Sequence, residues 1–133
     1  MELSIKTNQK EECIDITNLV KNFLGKSEVK EGLINIYTPH TTAAIIINEN
    51  NDPNIQGDFL SLLNKIIPQG IWKHDKIDGN AAAHIKASII GSSQTIPVEK
   101  GKMQLGKWQS IMFVELDGPR QRRIIFTAIE SKS

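Results

Sequence analysis

The chain carries three histidines, at positions 40, 74 and 84. Three neutral imidazoles with a fourth position left for water or a phosphate oxygen make a catalytic zinc arrangement. No pair of them stands at the short interval used by zinc motifs, so a metal site would depend on the fold to gather them. Taken singly, each also fits a surface or hydrogen-bonded core role, because histidine is intermediate in burial. Their contexts favour a shared site. His40 follows Pro39 at the end of an apolar run, His74 comes shortly after Trp72, and His84 stands in an alanine-rich stretch. The expectation is one pocket in which His40, His74 and His84 hold a divalent metal, zinc or magnesium.

Other residue types extend this chemistry. Asn48, Glu49, Asn50, Asn51 and Asp52 form a polar cluster directly after an apolar run, and loops at strand ends commonly carry function. Asp52 is accounted for as a helix cap, which leaves Glu49 as a candidate acid–base group. In the stretch beginning at Trp108, period-2 alternation puts Gln109, Ile111, Phe113 and Glu115 on one face. That face is either partly open to solvent or lines a pocket containing an acid. Arg120 follows Gly118-Pro119. A guanidinium presented by a rigid turn suits a phosphate or carboxylate. There is no phosphate-binding glycine loop, no dinucleotide fingerprint, and no evident Ser or Cys nucleophile.

The elements that must position these residues follow from periodicity. Leu3 and Ile5 alternate in a first strand. Ile16, Leu19, Val20, Phe23 and Leu24 recur at helical spacing, with Asp15 as N-cap and Gly25 as stop. Gly32–Tyr37 and Ala43–Asn48 are short β-branched runs that read as buried strands, joined by Thr38–Thr41 in a hairpin-like turn. Asp52-Pro53 starts a helix through Ile55, Phe59, Leu62 and Ile66, which Pro68 ends. Asp58 lies on that apolar stripe, so it is expected to have a partner. Asn80 caps a further helix, Ala81–Ile90, closed by Gly91; its alanines suit close approach of a neighbouring backbone, in this chain or another. Strands at Thr95–Val98 and Met103–Leu105 flank Lys100-Gly101, and Asp117-Gly118-Pro119 separates strands at Trp108–Leu116 and Arg123–Ile129.

Composition bounds the rest. The 133 residues suit a single domain spanning 1–133. Sixteen Lys plus Arg against fifteen Asp plus Glu leave a net charge of +1, which argues against nucleic acid as a partner. The single cysteine, Cys13, fits a reducing compartment. No apolar stretch has the length of a signal peptide or membrane span. These features describe a soluble cytoplasmic protein that makes no contact with membranes.

Read together, the words Thr38–Ala44, Ile47-Asn48-Glu49 with Asp52-Pro53, Asn80–Ser88, Gly91–Ser93, Leu105–Gln109 and Glu115–Arg120 resemble the YjbQ-like (UPF0047) family in order over most of the chain. The resemblance implies an α+β fold, a β-rich sandwich-like domain with interleaved short helices, and a homotrimer. It implies a site around the matching histidines, with His84, Glu49 and Glu115 as catalytic candidates and Thr41, Asn48, Asn80, Gln109 and Arg120 as substrate contacts. It also implies a secondary thiamine-phosphate synthase activity, a transferase reaction in which a pyrimidine diphosphate is joined to a thiazole phosphate with release of pyrophosphate. The small phosphorylated molecule is the expected partner. A metal-dependent hydrolase using Glu49 or Asp58 as base, and a non-catalytic metal- or ligand-binding trimer, are the alternatives. At Leu116-Asp117-Gly118 the chain differs from the more basic or aromatic residues associated with some members.

Overall fold

Short β-branched runs separated by polar turns build a strand-rich α+β domain, in which residues 1–132 are described by a computed structural model. In chain order the elements are β1 (Glu2–Lys6), β2 (Glu12–Asp15), α1 (Thr17–Ser27), β3 (Gly32–Tyr37), β4 (Ala43–Asn48) and α2 (Pro53–Ile66). A 3-10 turn at Lys73–Lys76 is followed by α3 (Ala81–Ile90), β5 (Ser93–Glu99), β6 (Lys102–Met103), β7 (Ser110–Glu115) and β8 (Gln121–Glu130). The strands form two antiparallel sheets, one in the order β1-β8-β3-β5-β6 and one in the order β2-β7-β4. Among the described residues no helix is long and apolar enough to cross a membrane.

Alternation decides what lies between the sheets. Ile34 and Ile36 of β3, Ile96 and Val98 of β5, and Ile124 and Phe126 of β8 point inward from the large sheet. They meet Ile45 of β4 and Ile111 and Phe113 of β7. Val20 and Leu24 of α1 join this core, at the spacing that places both on one helix face. The small sheet is buried on its other face as well: Ala44 and Val114 pack against Ala83 and Ala87 of α3, with Phe59 and Leu60 of α2 beside them. The alanines of α3 thus serve close packing within the chain. A strand buried on both faces reads as a continuous apolar run, as Ile111–Val114 does.

Several local expectations change. Thr38–Thr42 does not make a hairpin, because β3 pairs with β5 and β8 while β4 pairs with β7; the segment crosses from one sheet to the other. Asp15 ends β2, a strand with no expectation from sequence, and its Oδ1 accepts the Thr17 N–H at 2.9 Å while Ile16 holds the cap position. α1 runs through Gly25 and ends at Glu28 in the left-handed conformation, φ 62°; one internal glycine costs only about 1 kcal/mol against alanine. Asp52 caps α2 as expected, accepting the Asn54 N–H at 2.9 Å, and Gly91 closes α3. Lys100-Gly101 turns β5 into β6. β7 begins only at Ser110, because Gln109 closes a turn on Gly106 through both backbone and side chain.

One ion pair joins the two sheets. Glu115 is the last residue of β7 in the small sheet, and Arg122 is the second residue of β8 in the large one. They are 0 % and 3 % exposed. Arg122 Nε donates to Glu115 Oε1 at 2.9 Å, and Nη2 donates to Oε2. Thr7 Oγ1 donates to Oε1 at 2.7 Å, and the N–H groups of Leu116 and Asp117 donate to Oε2 at 3.0 and 3.1 Å. Arg122 Nη2 also reaches Thr42 Oγ1 at 2.8 Å, which fixes the start of β4. Burial alone would raise the Glu115 pKa. The hydrogen bonds from Arg122, Thr7 and Asp117, with the Arg122 charge, outweigh it and hold the carboxyl below its usual range. Chain packing around the pair leaves no room at Gly118, where a Cβ would stand 2.3 Å from the Gln9 carbonyl oxygen and 2.7 Å from Glu115 Cγ. Glu115 is therefore a fully enclosed anchor, not the acid of an open pocket.

Removing one member of a buried pair strands the other charge, at a cost of about 3–5 kcal/mol, whereas replacing both with apolar groups is often far milder. Arg122→Met is expected to lose about that much in urea unfolding at pH 7, and Glu115→Leu/Arg122→Met to lose clearly less. Because the folded-state pKa of Glu115 is depressed, its contribution is present above the unfolded value and is lost as pH falls through the folded one. The wild-type chain should therefore destabilise as pH drops below about 4.3, and the double variant should lack that component. Equal losses for the single and double variants would contradict the pair's role.

Candidate functional site

The segments that cross between the sheets enclose a polar cleft of about 510 Å3. The β3–β4 connection supplies His40, Thr41 and Thr42, the start of α3 supplies Asn80 and His84, and the β7–β8 turn supplies Asp117 and Arg120. A second opening, of about 410 Å3, also contains His40, Thr41 and His84 and continues to Ser88 and Ser92. His40, Thr41, Asn80, His84 and Arg120, singled out from the sequence, thus come together.

His40 is fixed by the start of β8. Its Nε2 accepts the Arg123 backbone N–H at 2.9 Å, so the neutral ring carries its proton on Nδ1. Burial lowers its pKa, and Arg122 and Arg123 lower it further, against a smaller opposing effect of Glu115. At neutral pH His40 is an uncharged donor through Nδ1–H. His84 meets His74 edge-on, with ring centroids 5.0 Å apart and planes at 86°. His74 Nε2 lies 3.5 Å from Asp78 Oδ2 and has no hydrogen bond among the described residues.

Asp117 organises the cationic side of the cleft. Its Oδ2 accepts from Asn80 Nδ2 at 2.9 Å and from Arg120 Nη2 at 2.8 Å, and Arg120 Nε reaches its backbone oxygen at 2.6 Å. Lys10 Nζ stands 3.6 Å from Oδ1. Burial would raise the Asp117 pKa, but the hydrogen bonds from Asn80 and Arg120 and the nearby cations bring it below its ordinary value. Arg120 is half exposed, and its Nη1 makes no hydrogen bond among the described residues. It is oriented yet free to take an anion. Asn80 occupies the cap position of α3 without capping it, since its amide is turned to Asp117. Asp75 does that work, accepting the Ala81 N–H at 3.0 Å through Oδ1 and the Trp72 N–H at 3.0 Å through Oδ2.

The residues do not fit a three-histidine metal centre within one chain. Among the described residues no group of three His, Cys, Asp or Glu side chains is placed to hold a metal ion, and the Nε2 of His40 is already committed. His74 does not line the cleft but approaches two residues that do, His84 and Asp78. Glu49 and Asn48 lie elsewhere, on a small apolar cleft of about 260 Å3 with Cys13, Phe59 and Met112. Asn48 Oδ1 accepts the Glu49 N–H at 2.8 Å. Asp58 lines the same cleft, exposed and without a hydrogen bond or ion pair among the described residues; the helix edge there is open to water, which solvates the charge. Burial, with Glu11 and Glu12 nearby, pushes the Cys13 thiol up to about 11, which keeps it protonated near pH 7. Gln109 lines a third groove. Asp117, Thr42 and Arg122 of the site, and Asp75 behind it, had no expectation as site residues; the polar density of Asp117–Arg122 between two apolar runs is the signal that marks the first and third.

Comparison with known proteins agrees with this architecture. The family profile described as UPF0047 protein YjbQ-like matches residues 1–131. A UPF0047 protein of Archaeoglobus fulgidus is 47 % identical over 97 % of this chain and 100 % of its own length, and UPF0047 protein YugU of Bacillus subtilis is 46 % identical over 90 % and 91 %. The crystal structure of an uncharacterized conserved protein of the same family from Clostridium acetobutylicum superposes with a TM-score of 0.93 at 49 % identity, covering 97 % of this chain and 99 % of that one. A YbjQ-like protein of unknown function from Sulfolobus solfataricus superposes with a TM-score of 0.95 at 37 % identity over 98 % and 96 %. With its sequence matched over residues 1–131 and its fold shared, the chain belongs to the YjbQ-like UPF0047 family.

Proposed function

We propose that the cleft between the sheets binds a small phosphorylated molecule and assists departure of an anionic group from it. The observation that carries this reading is the convergence of His40, His84 and Arg120 on one cleft. Arg120 offers an oriented guanidinium with unused donors, and His40 offers Nδ1–H without adding or losing charge near pH 7. Donors fixed before reaction stabilise charge as it develops, because they need not reorganise.

The specific reaction is the family-type joining of a pyrimidine diphosphate to a thiazole phosphate. The carbon–oxygen bond to pyrophosphate breaks as that carbon bonds to the thiazole nitrogen, and the released electron pair stays on pyrophosphate. Arg120 would neutralise the growing charge on the leaving oxygens, and the histidines would donate hydrogen bonds to them. The hydrolase alternative is less well supported, since Glu49 and Asp58 are on the separate apolar cleft.

Turnover of the two thiamine precursors, followed by pyrophosphate release with magnesium and with chelator, tests the reading. Arg120→Gln and His84→Ala are each expected to lower the rate about 100-fold, the usual scale for removing one charge-stabilising donor or one acid–base group. Wild-type turnover no greater than that of the His84→Ala control would overturn it.

We also propose that the chain works as a homotrimer. The support is the outer face of the large sheet, where Leu33, Tyr37 and Ile129 are 45 %, 38 % and 59 % exposed. Ile129, Leu33 and Pro97 form one apolar row across three strands and Ile125 with Tyr37 a second, with Asn35, Thr95 and Thr127 between them. Exposed apolar side chains gathered on one face are characteristic of an association surface. Light scattering should return three times the chain mass of 14.9 kDa, and Leu33→Arg/Ile129→Arg should lower it. A wild-type monomer at micromolar concentration would contradict the proposal.

A further inference from the structure

A broad groove of about 1000 Å3 shares no lining residue with the histidine clefts. One wall is α1, with Thr17, Lys21 and Leu24. The other is β6 and the loop into β7, with Lys102, Met103 and Lys107. Lys30 adds a fourth cation at the rim: a Cβ built on the lining residue Gly101 would stand 3.4 Å from its Nζ.

The charges are unbalanced. None of the four ammonium groups makes an ion pair or hydrogen bond among the described residues; Lys107 Nζ lies 5.2 Å from the centre of the exposed Trp108 ring. Asp15 is the one lining carboxylate. Its oxygens are taken by the Thr17 N–H at 2.9 Å and Asn50 Nδ2 at 2.8 Å. Glu99, opposite Lys102 in the hairpin, makes no ion pair among the described residues. With a net charge of only +1 over the chain, this excess is local. Leu19, Met103 and Leu105 also line the groove, beside the polar side chains of Thr17, Asn18 and Gln109.

We propose that this groove is a second binding site, for an organic phosphate. The phosphoryl group sits among Lys21, Lys102 and Lys107, and the hydrocarbon or ring body lies against Leu19, Met103 and Leu105. Lysine binds phosphate as a point charge, and a dianion relieves the mutual repulsion of neighbouring ammonium groups. Binding of this kind weakens as salt rises.

The test is an amide NMR titration of the intact chain with phenyl phosphate and, separately, with inorganic phosphate. Phenyl phosphate should shift the amides of Lys21, Gly101, Met103 and Gln109 and bind there more tightly than inorganic phosphate. Lys21→Gln/Lys107→Gln should weaken binding at these amides about ten-fold, equivalent to about 1.4 kcal/mol. Arg120→Gln, in the histidine cleft, should leave it unchanged, so failure of this site and of the histidine-cleft reading are told apart. Shifts confined to His40, His84 and Ser92, affinity unaltered in the double lysine variant, or no preference for phenyl phosphate would each overturn the proposal.

Discussion

The carboxylate of Glu115 has no access to water, yet its environment keeps it charged. Five donors converge on its two oxygens: two from Arg122, one from Thr7, and two backbone N–H groups at Leu116 and Asp117. Desolvating a carboxylate and a guanidinium costs several kcal/mol each, and only close geometry with every lone pair occupied offsets it. The pair therefore tolerates little change in what surrounds it. It ties the end of β7 to the start of β8 across two sheets, and through Thr42 it ties both to the start of β4.

The candidate cleft is a consequence of that tie. Its three contributors, the β3–β4 connection, the start of α3 and the β7–β8 turn, are segments that leave one sheet for another. Segments of this kind are usually the loosest in a sandwich. Here Thr42 is held by Arg122, Asn80 and Arg120 are held by Asp117, and His40 is held by the Arg123 backbone. Each of these four side chains is thus oriented by a neighbour beside the buried pair. Pre-orientation of this kind reduces the ordering cost of binding.

Much of the fold is legible in local pattern. The apolar runs at Gly32–Tyr37 and Ala43–Asn48, the Asp52-Pro53 start of α2 and the Gly91 stop of α3 are written in consecutive residues. What joins them is not. Thr38–Thr42 has the composition of a turn, and nothing in five residues says that the strands on either side pair with different partners. Glu115 looks like a pocket acid because its strand alternates correctly; only the long-range partners Thr7 and Arg122 reveal it as an anchor. Asn80 looks like a cap, but Asp117, 37 residues away, claims its amide. His40, His84 and Arg120 were recognisable by type and context, while Glu49 and Gln109 have the right chemistry and the wrong location. Sequence carries residue chemistry well and carries convergence poorly, because convergence depends on long-range pairing.

Burial, with the charges of Arg122 and Arg123, keeps His40 neutral beside the oriented guanidinium of Arg120. An NMR pH titration of the His40 imidazole tests this most directly. Burial, followed by the charges of Arg122 and Arg123, should place its midpoint below the ordinary value of 6.5. With a folded pKa below the unfolded one, this histidine should withdraw stability as pH falls through that window. A midpoint at or above 6.5 would mean that His40 is solvated or faces an anion, and would contradict the account.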